Sequence, residues 1–248
     1  MKLTEFFRDN PKAAIAFSGG VDSSYLLYAA CKADADVKAY YVKSCFQPQF
    51  ELDDALELAE KLEADITVIP VDVLSSPEVR ANPSDRCYYC KQQIFSTIID
   101  TAARDGYSLI LDGTNASDDA SDRPGMRALK ELKVRSPLRE CGLTKAEIRR
   151  LSREAGLFTW DKPAYACLAT RVAQGEEITA EKLEKTELAE GYLMRMGFSD
   201  LRVRQSSGDA VLQIRKDQSS LLEENHDEII NELKKYYNSV TIDLETRK

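Results

Sequence analysis

The chain has 248 residues, of which 43% are hydrophobic and 31% charged, and its 34 basic and 42 acidic side chains give a formal net charge of −8. This is the composition of a globular protein with one large domain or a domain plus a smaller one, and the acidic balance disfavours nucleic acid, whose phosphates need clustered Lys and Arg. No apolar run approaches the roughly 20 residues that span a bilayer, and the charged start Met1-Lys2-Leu3-Thr4-Glu5-Phe6-Phe7-Arg8-Asp9 does not read as a secretion signal, so a cytoplasmic protein without a membrane partner is expected.

Taken in chain order, Ala13-Ala14-Ile15-Ala16-Phe17 predicts a buried strand, and the amphipathic residues 25–32 predict a helix. Between them lies Ser18-Gly19-Gly20-Val21-Asp22-Ser23-Ser24. A second strand is predicted at 37–42, then a helix carrying Leu52, Ala55, Leu56, Ala59 and Leu62, and a third strand at 66–71. A helix at 92–104 sets Ile94, Phe95, Ile98, Ile99 and Ala102 on one side. A fourth strand at 109–111 runs into Asp112-Gly113-Thr114-Asn115, and a short fifth is predicted at 134–136. Strands alternating with helices imply right-handed crossovers and an α/β, doubly wound parallel sheet, with ligands at the carboxyl ends of the strands. Phe17, Ser18, Val42, Lys43, Val71, Asp72 and Asp112 are therefore expected to converge on one cleft.

Thr144 and Glu147 form a capping box for a helix ending at Gly156, a structural signature to which no chemistry is assigned. The irregular stretch 160–175 is long for a loop and reads as functional. Thr179 is placed to cap a helix reaching Met196. Strands at 201–205 and 210–215 flank the turn Ser206-Ser207-Gly208, and a helix at 219–237 precedes a strand at 240–244. The expected organisation is a nucleotide-binding domain over 1–160, an active-site loop over 161–178 and a small α+β C-terminal subdomain over 179–248.

Two glycines between a strand and a helix leave backbone N–H groups unobstructed, and with the positive helix end they form a phosphate cradle. Without Gly-Lys-Ser/Thr this is not a Walker P-loop. The string Ser18–Ser24 instead resembles the PP-loop of the ATP pyrophosphatases, which cleave ATP between the α- and β-phosphates and place AMP on a substrate oxygen. In that reading the N–H groups of Gly19 and Gly20, at the helix start with Val21, and the hydroxyls of Ser18, Ser23 and Ser24 hold phosphate. Asp22 holds Mg²⁺ or orients the pyrophosphate. Asp112, followed by Gly113, is a second candidate for metal or substrate, or a turn-initiating Asp. The single histidine, His226, lies in a polar helical stretch, which argues against histidine general-base catalysis. Adenylylating a carboxylate needs none, because that nucleophile is already ionised.

Six cysteines in a cytoplasmic protein are not read as three disulfides. Cys31, Cys45 and Cys141 read as inert. In Arg86-Cys87-Tyr88-Tyr89-Cys90-Lys91 the C-x-x-C spacing suits one metal or cluster, and equally a redox disulfide or chance. Cys167, within Lys162-Pro163-Ala164-Tyr165-Ala166-Cys167-Leu168-Ala169-Thr170-Arg171, is a third thiol. Three thiolates fall one short of a closed four-cysteine site, whereas a 4Fe–4S cluster on three thiolates leaves one iron open.

These blocks, with Asp112–Asn115 and Arg135-Ser136-Pro137-Leu138, occur in the order seen in the LarE-type sulfur transferases, which the chain resembles over residues 12–215. The resemblance implies ATP-dependent adenylylation of pyridinium-3,5-dicarboxylic acid mononucleotide, followed by replacement of AMP with sulfur, in nickel-pincer nucleotide biosynthesis. One branch sacrifices the sulfur of a cysteine matching Cys167. The other holds a 4Fe–4S cluster on three cysteines, and this chain is similar to the latter. It also implies Arg202 and Arg204 near a substrate phosphate with Glu190 beside them, and a homo-oligomer formed through the C-terminal region. A sulfide or sulfur donor is an expected partner. Lys91, Lys162 and Arg171 flank the cysteines and are candidates for neutralising substrate carboxylates or pyrophosphate. The alternatives are a cluster-dependent tRNA thiolase of the same class, which the acidic balance and the lack of an RNA-binding extension disfavour, an amide-forming ligase, or a nucleotide- and metal-sensing module.

Overall fold

The computed structural model describes residues 2–118 and 123–243, and the described residues form two compact units, one within 2–73 and 85–162 and the other within 74–84 and 163–243.

In the first unit, α1 (Leu3–Asp9) leads into β1 (Lys12–Ala16), α2 (Val21–Lys32), β2 (Asp36–Lys43), α3 (Gln49–Lys61) and β3 (Asp65–Pro70). The chain then leaves for α4 (Pro77–Arg80), part of the second unit, and returns with α5 (Arg86–Arg104), β4 (Ile110–Leu111), α6 (Pro124–Glu131), α7 (Pro137–Glu140) and α8 (Lys145–Glu154). The strands lie in the order β3-β2-β1-β4, all parallel, with Ile15 opposite Ala39 on one side and Leu111 on the other.

Side chains alternate across a strand, and both faces of this sheet are covered. Ala13, Ile15, Ala39 and Tyr41 pack with Phe6 and Phe7 of α1, Leu26 and Leu27 of α2, Leu58 of α3 and Ile148 of α8. Ala14, Tyr40 and Val42 pack on the opposite face with Phe95 and Ile98 of α5 and Leu129 of α6. This is the expected doubly wound arrangement. Strand order reverses between β1 and β4, so their carboxyl ends flank the crevice that such sheets use for ligands.

Three elements differ from expectation. The predicted fifth strand is a single parallel bridge between Leu111 and Arg135, because Pro137 in the next turn lacks an N–H and the chain turns directly into α7. Helix α2 begins at Val21 rather than at 25, so Asp22, Ser23 and Ser24 form its first turn. Helix α5 begins at Arg86 rather than at 92, so both C-x-x-C thiols stand on a helix.

The second unit holds α9 (Ala180–Arg195), β5 (Arg202–Ser206), β6 (Asp209–Gln213), α10 (Ser219–Glu224), α11 (His226–Leu233) and β7 (Val240–Ile242). Strands β5 and β6 pair antiparallel through Ser207 and Gly208, both with positive φ of 52° and 88°, the backbone that a two-residue hairpin turn requires. Strand β7 runs parallel to β6; its predicted last residue, Leu244, lies outside the described residues. The predicted 219–237 helix is two helices, broken where the Asn225 side chain bonds Leu221 O at 2.9 Å in competition with the backbone. Leu193, Leu201, Val203, Leu212, Ile229 and Leu233 form this unit's core. The 74–84 segment is stitched to it by Asn82, whose Nδ2 donates to Ala173 O at 2.8 Å and whose carbonyl accepts from Gly175. No described helix is long and apolar enough to cross a membrane.

Thr179 caps α9, its hydroxyl accepting the Lys182 N–H at 3.2 Å. Thr179→Ala should therefore lower unfolding free energy by about 1 kcal/mol, read as a lower denaturation midpoint at unchanged m-value.

Candidate active site

Gly20 is the N-cap of α2 and offers no side-chain oxygen. The first backbone bond of the helix runs from Ser24 N–H to Gly20 O at 2.9 Å, and the N–H groups of Val21, Asp22 and Ser23 have no acceptor within the helix. This end opens on a cavity of about 320 Å³ lined by Ala16, Ser18, Gly20, Asp22, Ser23, Lys91, Phe95, Asp112, Gly113, Thr114 and Asp118. That volume is within the range of small-molecule sites.

Backbone approach makes the cradle. Gly19 has φ +71°, and a Cβ there would stand 3.0 Å from that of Ala55. A Cβ on Gly113 would stand 2.9 Å from Ser23 N, closer than real Cβ contacts allow, so the loop after β4 lies directly on the first turn of α2. The hydroxyls of Ser18 and Ser23 lie 3.0 Å apart, and Ser23 Oγ also donates to Gly20 O at 3.2 Å. Val21 is buried in the core and Ser24 is fully buried; neither lines the cavity. The Ser24 hydroxyl, expected to hold phosphate, is turned into the protein, where it has no hydrogen bond among the described residues.

Asp22 lines the cavity with one oxygen committed and one not. Lys145 Nζ donates to Oδ2 at 2.6 Å, while Oδ1 is buried with no hydrogen bond among the described residues. Burial pushes the Asp22 carboxyl above its ordinary range, with Lys145 opposing the rise, Asp118 adding to it and the Asn115 amide opposing it. Asp112 is buried, and its oxygens accept from Ser136 Oγ at 2.6 Å and from the Thr114 hydroxyl and N–H. It organises the loop after β4 while also lining the cavity. Lys43 and Asp72 do not line the cavity. The expected convergence of all four strand ends fails because β2 and β3 lie successively farther from the switch point, at about 4.8 Å per strand.

Lys91 reaches the cavity from α5, its stem against Gly125 of α6, where a Cβ would stand 3.2 Å from Lys91 Cδ. Lys162 does not line it; its Nζ lies 2.7 Å from Asp54 and 3.5 Å from Glu51 of α3. Cys87 is exposed and Cys90 half-buried, three residues apart on one face of α5.

Cys167 belongs to the second unit. It is half-buried and precedes the 3₁₀ turn Leu168–Arg171. That loop hangs on a buried ion pair: Arg171 and Glu190 side chains are 0% and 1% exposed, with Nε–Oε1 and Nη2–Oε2 distances of 2.9 Å. Glu190 also accepts from Val203 N–H at 2.8 Å and from the Tyr165 hydroxyl. Arg171 Nη1 donates to Ala166 O at 2.6 Å and to Thr170 Oγ1 at 2.9 Å. Burial, then the Glu190 charge, pushes the Tyr165 hydroxyl up, which keeps it a donor.

Arg171, a candidate for neutralising substrate or pyrophosphate in the sequence, is sealed inside this structure, where its donors brace the Cys167 loop. Arg202 is likewise buried and donates to Leu201 O and Ala164 O, whereas Arg204 is exposed and donates to Thr170 O at 3.0 Å.

Sequence reasoning missed Lys145, Asp118 and Gly125, and it quoted Thr114, Ser136 and Tyr165 within motif blocks without giving them a role. For Lys145 a signal existed: a cation directly after an N-cap opposes the helix dipole, so its position calls for a partner elsewhere. The others become visible only when separate segments meet. Among the described residues no group of three or more His, Cys, Asp and Glu side chains is gathered to hold a metal ion.

No family model matches the chain. It is 24% identical over 194 residues to the tRNA-specific 2-thiouridylase MnmA of a Thermotoga species, covering 61% of this chain and 54% of that enzyme. With the parallel sheet and the glycine turn opening α2, this relationship makes the protein an α/β member of the PP-loop superfamily. It is 38% identical over 218 residues to an uncharacterized Synechocystis protein, covering 87% of this chain and 81% of the relative. It is also 34% identical over 204 residues to the pyridinium-3,5-bisthiocarboxylic acid mononucleotide synthase of Lactiplantibacillus plantarum, covering 82% of this chain and 74% of the synthase. The chain belongs to the LarE-type family of sulfur transferases.

Glu190→Gln leaves Arg171 charged in a sealed interior without its full counter-ion. Unfolding free energy should fall by about 3–5 kcal/mol, measured by denaturant titration, and alkylation of Cys167 by iodoacetamide should change as its loop loosens.

Proposed function

We propose that the protein uses ATP to adenylylate a carboxylate of pyridinium-3,5-dicarboxylic acid mononucleotide and then converts the adenylate to a thiocarboxylate, a step in making a nickel-pincer nucleotide. The observation that carries the ATP half is the uncapped N-terminus of α2 opening on a cavity with Ser18, Ser23 and Lys91. The sulfur half is supported by the Lactiplantibacillus relative and by Cys87, Cys90 and Cys167.

In this reading the first-turn amides of α2 and the Ser18 and Ser23 hydroxyls hold the polyphosphate, and Lys91 adds a fixed positive charge. The substrate carboxylate attacks the α-phosphorus; its oxygen forms the new P–O bond, and the bond to the bridging oxygen breaks with its electron pair leaving on pyrophosphate. Sulfur then attacks the activated carbonyl carbon and AMP departs. No base is required, in keeping with the single His226, which is exposed on the surface.

Asp22 fits Mg²⁺, since an anionic oxygen buried without a hydrogen bond is a hard donor awaiting a cation; when bound, that ion neutralises phosphate charge. Three thiols are the right donors for an iron–sulfur cluster. Cys87, Cys90 and Cys167 would hold it, and a 4Fe–4S cluster so held supplies an iron open to an outside sulfur ligand. Arg202 and Arg204 are assigned to the mononucleotide phosphate, where guanidinium groups suit a dianion. The reading includes a sulfide donor, a homo-oligomer and a reducing cytoplasmic setting.

Asp22→Ala should abolish mononucleotide-dependent pyrophosphate release while the circular-dichroism spectrum stays that of the parent; undiminished release would remove Asp22 from the mechanism. After anaerobic reconstitution, Cys87→Ala, Cys90→Ala and Cys167→Ala should each lose iron and sulfide yet still bind ATP. The parent protein should turn over repeatedly with sulfide at constant mass. A stoichiometric loss of about 34 Da at Cys167, the H₂S of one cysteine, would instead mark a sacrificial thiol, and thiolation of tRNA in place of the mononucleotide would mark the MnmA-like branch.

A further inference from the structure

Helix α5 presents Tyr88, Lys91, Gln92 and Phe95 at the i, i+3, i+4 and i+7 positions of one face, and α6 packs along it. Three contacts set the register of the pair. The Tyr88 hydroxyl and the Gln92 amide both donate to Glu131 Oε2, at 2.7 and 2.8 Å. The Arg127 guanidinium carbon stands 4.1 Å from the centroid of the Tyr88 ring. Leu129 shares a core cluster with Phe95 and Ile98.

In that register the second residue of α6 falls against the stem of Lys91. A Cβ on Gly125 would stand 3.2 Å from both Cδ and Cε of Lys91 and 3.5 Å from its Nζ. Gly125 is buried and its φ lies outside the left-handed region, so its backbone conformation does not call for glycine. Alanine is the better helix former. What the glycine supplies is room for the lysine.

Lys91 has need of such a guide. It lines the cavity with Asp22, Asp112 and Asp118, and among the described residues its ammonium makes no hydrogen bond or ion pair. A lysine side chain carries large rotamer entropy, which is forfeited when an anion orders it. A surface that narrows its rotamers beforehand reduces that loss.

We propose that Gly125 is a positioning residue: the bare backbone of α6 is a shelf that confines the Lys91 stem and keeps its ammonium in the cavity. The inference rests on the ATP reading above and adds to it the residue that aims the lysine. A methyl group at position 125 displaces the stem and turns its charge away from an entering polyphosphate.

The test is equilibrium binding of inorganic pyrophosphate in the absence of divalent cations, by calorimetry. Lys91→Met should weaken binding about tenfold, the effect of one lost charge-assisted contact, and Gly125→Ala about fivefold. With Lys91→Met already in place, Gly125→Ala should cost no more than about 1.5-fold, because a residue acting through the lysine has nothing left to lose. Thermal denaturation gives a second readout. Gly125→Ala should raise the midpoint more in the Lys91→Ala background than in the parent, because only there is the methyl group clear of the stem. Unchanged affinity in Gly125→Ala, an equal loss with and without the lysine, or equal midpoint shifts in the two backgrounds would refute the role of Gly125 and leave the ATP reading standing. Failure of the parent and every variant to bind pyrophosphate would overturn both.

Discussion

The cavity at the start of α2 depends on how closely the loop after β4 lies against the first turn of that helix. No side chain fits at Gly113, because its Cβ would meet Ser23 N at 2.9 Å. That approach sets the ends of β1 and β4 on either side of one crevice and directs the α2 amides into it. Asp112 then holds the loop in place through Ser136 and Thr114. A cavity built this way relies on backbone, so few side chains are needed to define it, and glycine is required wherever one backbone touches another.

The second unit solves a different problem, holding a cysteine on a loop that has little regular structure of its own. Its device is a buried carboxylate that accepts from a guanidinium, a phenol and a backbone N–H. A charge pair in so dry a place adds little net stability over an apolar core, but losing one member is costly. Such a pair is suited to fixing one conformation. Tyr165 sits under both Arg171 and Arg202, its ring centroid 4.5 and 5.2 Å from their guanidinium carbons, so the cations brace the loop from its aromatic side as well.

Charged residues that look alike in sequence divide sharply by burial. Arg202 and Arg204 alternate on β5 and invite a common role, yet one is sealed against backbone carbonyls and the other exposed. Lys91, Lys162 and Arg171 all flank cysteines; one lines the cavity, one pairs with α3 acids and one is an internal brace. In unit one the same principle gives Asp22 and Asp112 distinct characters, the first with an oxygen to spare and the second with its oxygens engaged.

The parallel sheet, the glycine turn, the capping box at Thr144 and the β5–β6 hairpin were legible from the amino-acid order, because each is governed by residues within a turn or two of one another. Hydrophobic periodicity and turn chemistry are local and survive without knowledge of the rest of the chain. Helix starts at Val21 and Arg86 were harder, since polar first turns carry no apolar period. What only tertiary structure decided are the partnerships between distant segments: Lys145 with Asp22, Gly113 against Ser23, Glu190 with Arg171 and Tyr165, and Asn82 with the chain at Ala173. Sequence order specifies which groups can bond, but burial and proximity between segments far apart in the chain decide which of them do. The same solvent exclusion that removes Arg171 from the surface is invisible in a string where it stands beside a cysteine like any reactive cation.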